Sequence, residues 1–186
     1  MFKVNQTPKK RLFVVDDFYE DPMAVREFAL SRTYVDGAGA VGQRTFSQHL
    51  FDGIKQRFEE IMQEEISNLT EEGYGWFNEG INGRFQSCIG GVPQVFHCDL
   101  QQWAGVIYLT PEAPPQSGTS FYRHKESKVF HRDQIDWSVG ENGNVFNIGT
   151  HLDPTPFELQ DKVGNVFNRL VIFDGGLIHS GNDYFG

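Results

Sequence analysis

The hydrophobic pattern of the chain changes near Tyr74 from a helical period to the period of two that strands have, and this change limits the possible folds most. Short runs rich in aromatic and branched residues follow, separated by turn residues such as "NG" at 82–83 and "GG" at 175–176. The candidate strands are 74–81, 84–89, 94–98, 103–110, 119–123, 128–131, 144–148, 157–163, 168–173 and 176–180. Many short strands with glycine- and proline-containing turns indicate a mainly β sandwich or barrel. The "NG" turn predicts a hairpin between the first two of these strands.

Two helices are predicted before these strands. The segment 21–32 starts with Asp21, a favourable N-cap, and Pro22, which loses no hydrogen bond at the first helical position. The segment 51–69 carries apolar residues at helical spacing. Both helices would flank the β-rich part of the fold.

The remaining N-terminal segments complete a single domain. A short strand is predicted at 11–18, and the glycine-rich segment 35–46, which has no phosphate-loop pattern, is predicted to be a flexible loop. We therefore expect one domain over residues 1–186, with a helical buttress at about 21–69 and a barrel at about 74–186.

Composition narrows the class of protein. The chain has 17 Phe and 20 Gly among 186 residues, which suits strands and turns. Its net charge of -9 and the absence of a basic run exclude a typical nucleic-acid surface. Its apolar runs are too short to span a bilayer, its N-terminus lacks the apolar core of a secretion signal, and two cysteines cannot build a disulfide scaffold. We expect a cytoplasmic protein with reduced thiols at Cys88 and Cys98.

The segment "VFHCDL" (95–100) carries the pair of residues that best suits a metal site. In a strand, residues i and i+2 point the same way, so His97 and Asp99 can project together while Cys98 points to the other face. Non-haem iron(II) is often bound by two histidines and one carboxylate, which leave positions open for substrate and oxygen. His179, which follows the apolar run "RLVIFDGGLI" (169–178), is the predicted third ligand.

The other histidines fit a metal site less well. His131–Asp133 repeats the same spacing in a charged stretch and is predicted to be a solvated connection, and His151–Asp153 runs into prolines and is predicted to be a loop. His49 is expected to be a cap or surface residue and His124 to lie at a strand end.

The order "HCD … WAGVIYLTPEAPPQSGTSFYRHK … NRLVIFDGGLIHSG" resembles the iron(II)- and 2-oxoglutarate-dependent dioxygenases, and most of all their prolyl-hydroxylase-like branch. In that family an H-x-D pair precedes a strand ending in Tyr-Leu, here Tyr108 and Leu109. A turn then leads to a "G-x-x-F" strand, here 118–121, and a later apolar strand runs into the distal histidine, here His179. The resemblance covers roughly residues 74–185.

The resemblance implies a double-stranded β-helix, also called a jelly roll, and a hydroxylase. His97, Asp99 and His179 would bind Fe(II), and 2-oxoglutarate would chelate that ion as co-substrate. Tyr108 matches a position that often donates a hydrogen bond to the co-substrate. The substrate would be a small molecule or a peptide.

The family usually binds the far carboxylate of 2-oxoglutarate with an Arg or Lys on the strand after the distal histidine. The present sequence ends at Gly186, so the resemblance predicts a barrel that lacks its last strand in this chain. The anchoring cation would then come from Arg84, Arg123 or Arg169.

Two alternatives stay open at the level of sequence. One is a non-enzymatic jelly-roll binding module with an incidental histidine cluster. The other is a cupin-like metalloprotein that does not use 2-oxoglutarate.

Overall fold

The computed structural model describes residues 11–36, 41–68, 75–76, 81–135 and 153–186. Its two helices are α1 (Pro22–Leu30) and α2 (Ile54–Met62). Its strands are β1 (Leu12–Val15), β2 (Tyr34–Asp36), β3 (Gln43–Thr45), β4 (Gln86–Ser87), β5 (Trp103–Ile107), β6 (Thr119–His124), β7 (Phe157–Val163), β8 (Leu170–Asp174) and β9 (His179–Gly181). The prediction of a mainly β fold with flanking helices is confirmed.

The central sheet is antiparallel and has the order β1-β8-β5. Every residue of β8 is buried, which explains why its sequence "LVIFD" is almost continuously apolar rather than alternating. Leu170 and Ile172 pack against Met62 of α2 on one face of this sheet. Val171 and Phe173 point to the other face, where the second sheet lies.

The second sheet has the order β7-β6-β9 and is also antiparallel. Its residues Phe121 and Val163 pack against Val171 and Phe173, so the two sheets face each other across a shared core. Phe96, Phe157 and Ile178 form another core on the outer face of the second sheet. Within the described ranges both sheets are open and three-stranded, so the closed barrel stays a prediction.

A third antiparallel sheet, β2-β3-β4, joins the glycine-rich segment 35–46 to β4. The prediction of a loop over 35–46 is therefore wrong at both ends, because Val35 pairs with Arg44 and Asp36 pairs with Gln43; residues 37–40 lie outside the described ranges. Pairing of β3 with β4 supplies the hydrogen bonds that the short segments lack alone. Most of 74–81, the predicted hairpin partner of 84–89, lies outside the described residues.

Both predicted helices form, although α2 is shorter than expected. The Asp21 side chain accepts a hydrogen bond from the Ala24 N–H at 2.9 Å, which confirms the predicted N-cap. Helix α2 ends at Met62 because Gln63 adopts a left-handed conformation with φ of 56°. No helix in the described residues is long and apolar enough to cross a membrane.

Several predicted strands are shorter in the structure, and two are reduced to isolated bridges. In 94–98 only Phe96 and His97 occupy bridge positions, and His97 pairs with His179; in 128–131 His131 pairs with Leu177. The predicted strand 144–148 lies outside the described residues. The bridge between His97 and His179 extends the second sheet beyond β9 and brings two histidines side by side.

Candidate metal centre

His97, Asp99 and His179 converge at one end of the space between the two facing sheets. The Nε2 atom of His97 lies 3.6 Å from Oδ1 of Asp99, and Nε2 of His179 lies 3.5 Å from Oδ2. One potential ligand atom from each residue lies within 4.8 Å of the other two. The structure thus brings together the three residues that the sequence analysis selected as metal ligands.

The backbone explains why these residues meet. His97 and His179 exchange both N–H···O=C bonds, at 3.1 and 2.9 Å, so their side chains leave the sheet next to each other with ring centroids 4.3 Å apart. The N–H of Asp99 donates to the Gly175 carbonyl at 2.7 Å. A Cβ atom at Gly175 would lie 3.2 Å from the Asp99 Cβ and 2.5 Å from the Gln101 oxygen, so this close approach requires glycine.

Hydrogen bonds at the far side of each ring fix which nitrogen faces the carboxylate. Nδ1 of His97 lies 3.0 Å from the Val95 carbonyl oxygen, and Nδ1 of His179 lies 2.8 Å from that of Leu177. Because a carbonyl oxygen only accepts, each Nδ1 carries a proton, and a neutral ring then presents a lone pair at Nε2. Histidine ligands of metal ions are held in the same way.

Burial keeps His179 in the form that can bind a metal. Its side chain is 7% exposed, against 22% for Asp99 and 37% for His97. Burial lowers the pKa of His179 to about 4, although the nearby Asp99 carboxylate opposes this shift. The edge of the Phe173 ring packs against His179, with centroids 4.7 Å apart. The site is dry at His179 and open to solvent at His97.

These three donors fit a divalent metal ion. The two nitrogen lone pairs face two carboxylate oxygens at a separation too long for a hydrogen bond, an arrangement that is repulsive unless a cation lies between them. Donors about 2.1 Å from an ion, as in zinc sites, are roughly 3 to 3.5 Å apart, so a small contraction would complete the coordination. Two imidazoles and one carboxylate on one side of the ion are the set typical of non-haem iron.

The other predicted co-substrate residues lie outside this cluster. Tyr108 follows β5, and its hydroxyl lies 2.8 Å from the Thr119 hydroxyl between the sheets. Burial raises the pKa of Tyr108, so its hydroxyl stays a proton donor at neutral pH. The assignment of Tyr108 to a co-substrate stays a prediction.

The predicted anchoring arginines all have protein partners. Arg169 forms a two-point ion pair with Asp16 at 2.6 and 2.9 Å, and this hydrogen bonding raises the pKa of Arg169. Arg84 donates to the carbonyls of Thr45 and Phe46, and Arg123 donates to Glu158. An incoming carboxylate would have to compete with these contacts, and the assignments of Arg84 and Arg169 stay predictions.

Arg44 is a cation that the sequence analysis missed. It lies on β3, is half-buried, and has no side-chain hydrogen bond or ion pair with any residue in the described ranges. Burial lowers the pKa of Arg44, and the negative charge of Asp99 opposes this shift. No sequence signal pointed to it, because the segment 35–46 was predicted to be a flexible loop.

His131 is not on a solvated connection, so that prediction is wrong. The residue is 5% exposed, its Nε2 donates to Oδ1 of Asp174 at 3.0 Å, and its Nδ1 accepts from the Asp133 N–H at 3.2 Å. Both ring nitrogens are therefore used within the protein. The neighbouring Arg132 donates to backbone carbonyls of residues 99–101, directly after the candidate metal pair.

The remaining histidines lie away from the candidate centre. His49 stacks on Phe85 and meets the edge of Phe28, so it belongs to an aromatic cluster instead of a helix cap. His124 ends β6, which confirms its predicted place, and its ring contacts the Ser127 hydroxyl. His151 lies outside the described residues. Cys98 packs toward the outer core, as the strand alternation predicted.

Residues 87–182 match the model of a family described as "Family of unknown function (DUF6445)", and this match spans all three candidate ligands. No curated protein and no solved structure matches the chain.

Proposed function

The chain belongs to DUF6445, a family of unknown function, and we propose from its own site that it is an Fe(II)- and 2-oxoglutarate-dependent oxygenase that hydroxylates a small molecule or a peptide. One observation carries this proposal: two Nε2 atoms, each fixed by a hydrogen bond at Nδ1, face the two oxygens of Asp99. The order of two facing antiparallel sheets around this site supports a jelly-roll fold.

The protein residues would hold the metal and control access to it. His97, Asp99 and His179 would bind the ion from one side, and the exposed side of His97 would leave room for ligands. Phe173 would keep water away from His179. When bound, iron and 2-oxoglutarate together supply the oxygen activation that hydroxylation of an unactivated C–H bond needs.

Arg44 is our candidate for the cation that binds the far carboxylate of 2-oxoglutarate. Its half-buried guanidinium forms no hydrogen bond with another described residue, so its donors are available to a carboxylate ligand. Arginine also matches the planar geometry of a carboxylate. Tyr108 is our candidate for an additional hydrogen bond to the co-substrate.

The function is tested by anaerobic titration with Fe(II), followed by 2-oxoglutarate, and by succinate release in air over a panel of substrates. A visible charge-transfer band that needs both additions, and succinate release that depends on a substrate, are the expected results. Metal binding without any response to 2-oxoglutarate would contradict the proposal. That outcome would favour a cupin-like metalloprotein that does not use 2-oxoglutarate. This alternative is supported by Arg169 and Arg84, whose guanidinium groups already bind Asp16 and the Thr45 carbonyl.

Three matched variants test the anchoring residue. Arg44→Met should weaken 2-oxoglutarate binding by roughly 10- to 100-fold, the worth of a charge-assisted hydrogen bond, and should leave Fe(II) affinity nearly unchanged. Arg84→Met and Arg169→Met should have smaller effects because their guanidinium groups already have partners. Calorimetric titration of the Mn(II)-loaded proteins measures these affinities. A larger effect at Arg84 or Arg169 than at Arg44 would contradict the assignment of Arg44.

A further inference from the structure

The guanidinium of Arg132 is directed at the backbone that carries the Asp99 carboxylate. Its Nη1 donates to the carbonyl oxygen of Asp99 at 2.5 Å, to that of Leu100, and to that of Gln101 at 3.1 Å. The two N–H groups of this one nitrogen are therefore shared among three consecutive peptide oxygens, the first of which belongs to a candidate ligand. Charge-assisted hydrogen bonds of this kind are about twice as strong as neutral ones.

These contacts fix the peptide groups on both sides of the Asp99 Cα atom. The N–H of Asp99 donates to the Gly175 carbonyl at 2.7 Å, and its C=O accepts from Arg132. With both neighbouring peptide planes held, the Asp99 side chain has a defined starting direction between the two imidazoles. Removal of Arg132 would free one of these planes and leave three carbonyls to find other donors.

Arg132 is itself firmly placed. Its backbone N–H donates to the Gly176 carbonyl at 2.8 Å. The preceding residue, His131, donates to Asp174 and accepts from the Asp133 N–H. The side chain of Arg132 is 24% exposed, and its Nε lies 3.8 Å from Oδ1 of Asp133. A fixed side chain can transmit a fixed position to the residues it contacts.

We propose that Arg132 is a positioning residue of the metal centre, which orients the Asp99 ligand through the carbonyl of Asp99 without touching the metal. This inference rests on the proposed function, because it needs the ion at His97, Asp99 and His179. Outer residues that orient ligands typically change metal affinity by about 10- to 100-fold. Arg132 would act at the low end of that range, because it holds the backbone and not the carboxylate.

The test compares Arg132→Met, Arg132→Lys and a matched control, Arg26→Met. Arg26 also donates to a backbone carbonyl, that of Leu109, but that carbonyl is not next to a candidate ligand. The affinity for Co(II) and Fe(II) is measured by competition with a chromophoric chelator, the Co(II) absorption spectrum reports coordination geometry, and thermal unfolding of the metal-free proteins reports stability.

We expect Arg132→Met to weaken metal binding by about tenfold and to alter the Co(II) spectrum. Arg132→Lys should recover most of the affinity, because an ammonium group has three donors for the same carbonyls. Arg26→Met should leave affinity and spectrum unchanged.

If Arg132→Met lowers only the unfolding temperature while affinity and spectrum match the wild type, the inference is overturned. If Arg132→Met does not fold, Arg132→Gln replaces it under the same criteria: weaker binding with an altered Co(II) spectrum supports the inference, and wild-type affinity and spectrum overturn it. Failure of the wild-type protein to bind metal would overturn the proposed function itself.

Discussion

Two clusters of histidine and aspartate adjoin the turn at 174–176, and they differ in how the imidazole nitrogens are used. In the first, Nδ1 of both His97 and His179 is bonded to a carbonyl, while Nε2 faces Asp99 at 3.5 to 3.6 Å. In the second, Nε2 of His131 donates to Asp174 at 3.0 Å and Nδ1 accepts from a backbone N–H. The same residue types therefore give a metal-ready group in one place and a satisfied structural network in the other.

This comparison teaches that spacing in the sequence does not separate ligands from structural residues. His97–Asp99 and His131–Asp133 have the same His-x-Asp spacing. The hydrogen bond at Nδ1 distinguishes them. Nδ1 of His97 donates to a carbonyl oxygen, whereas Nδ1 of His131 accepts from a backbone N–H, and only the three-dimensional structure shows this difference. Four classes of variant test the distinction, in order of decreasing expected effect.

The largest effect is expected from loss of a candidate ligand. Asp99→Ala and His97→Ala each remove one of three donors, and Asp99 is the only anion among them, so affinity for Fe(II) should fall by at least about 100-fold. Anaerobic calorimetric titration measures this change. Affinity close to that of the wild type in either variant would show that the ion binds elsewhere.

Loss of the second cluster should affect stability instead of metal binding. Among the described residues, His131→Ala leaves the buried carboxylate of Asp174 with Arg11 as its one charged partner, which should cost about 2–4 kcal/mol in the free energy of unfolding. Metal affinity should stay within about threefold, because all three donors remain. Urea unfolding and metal titration of the same preparation provide the two readouts, and loss of metal binding at wild-type stability would reverse the roles assigned to the two clusters.

Substitutions of the two glycines in the turn test the two clusters one at a time. A Cβ at Gly175 would lie 2.5 Å from the Gln101 oxygen and close to Asp99, whereas a Cβ at Gly176 would lie 2.3 Å from Nε2 of His131. Gly175→Ala should therefore weaken metal binding several-fold to about tenfold, and Gly176→Ala should mainly reduce stability, by about 1–3 kcal/mol. Equal effects of the two variants on metal affinity would remove the distinction.

The smallest effect, counted per pH unit, is expected when pH is varied. The pKa of His179 is about 4 in the folded protein, against 6.5 for an ordinary histidine. Between these two pH values the unfolded chain therefore binds up to one proton more than the folded protein. The stability of the metal-free protein should rise with pH across this window and fall as pH is lowered through it, by at most about 1.4 kcal/mol per unit from this residue. His179→Gln should flatten the curve in urea unfolding from pH 4 to 7, and an unchanged slope would mean that His179 is protonated in the folded state.

Much of the site could be predicted because its residues obey a local rule. Alternation along a strand places His97 and Asp99 on one side and Cys98 on the other, and the structure confirms both directions. The contacts of this segment with the second sheet could not be predicted in this way, because 94–98 and 128–131 form isolated bridges in place of full strands. The bridge to His179 depends on contacts far apart in the chain.

Other parts of the site depend on contacts that have no local pattern. Arg132 contacts three peptide oxygens, and nothing in a run of charged residues distinguishes this from a solvated arginine. Arg44 was hidden in a glycine-rich segment whose strands form only by pairing with one another. Gly175 and Gly176 were correctly predicted as turn residues. The close contacts of Gly175 with Asp99 and of Gly176 with His131, which leave no room for a Cβ atom, depend on packing and have no local sequence pattern.

Anomalous diffraction from crystals of the Mn(II)- or Fe(II)-loaded protein tests the central claim most directly. We predict one strong peak about 2.2 Å from Nε2 of His97, Nε2 of His179 and an oxygen of Asp99, with no peak at His131. A peak at another cluster, or an ion bound through Nδ1 of either histidine, would contradict the account.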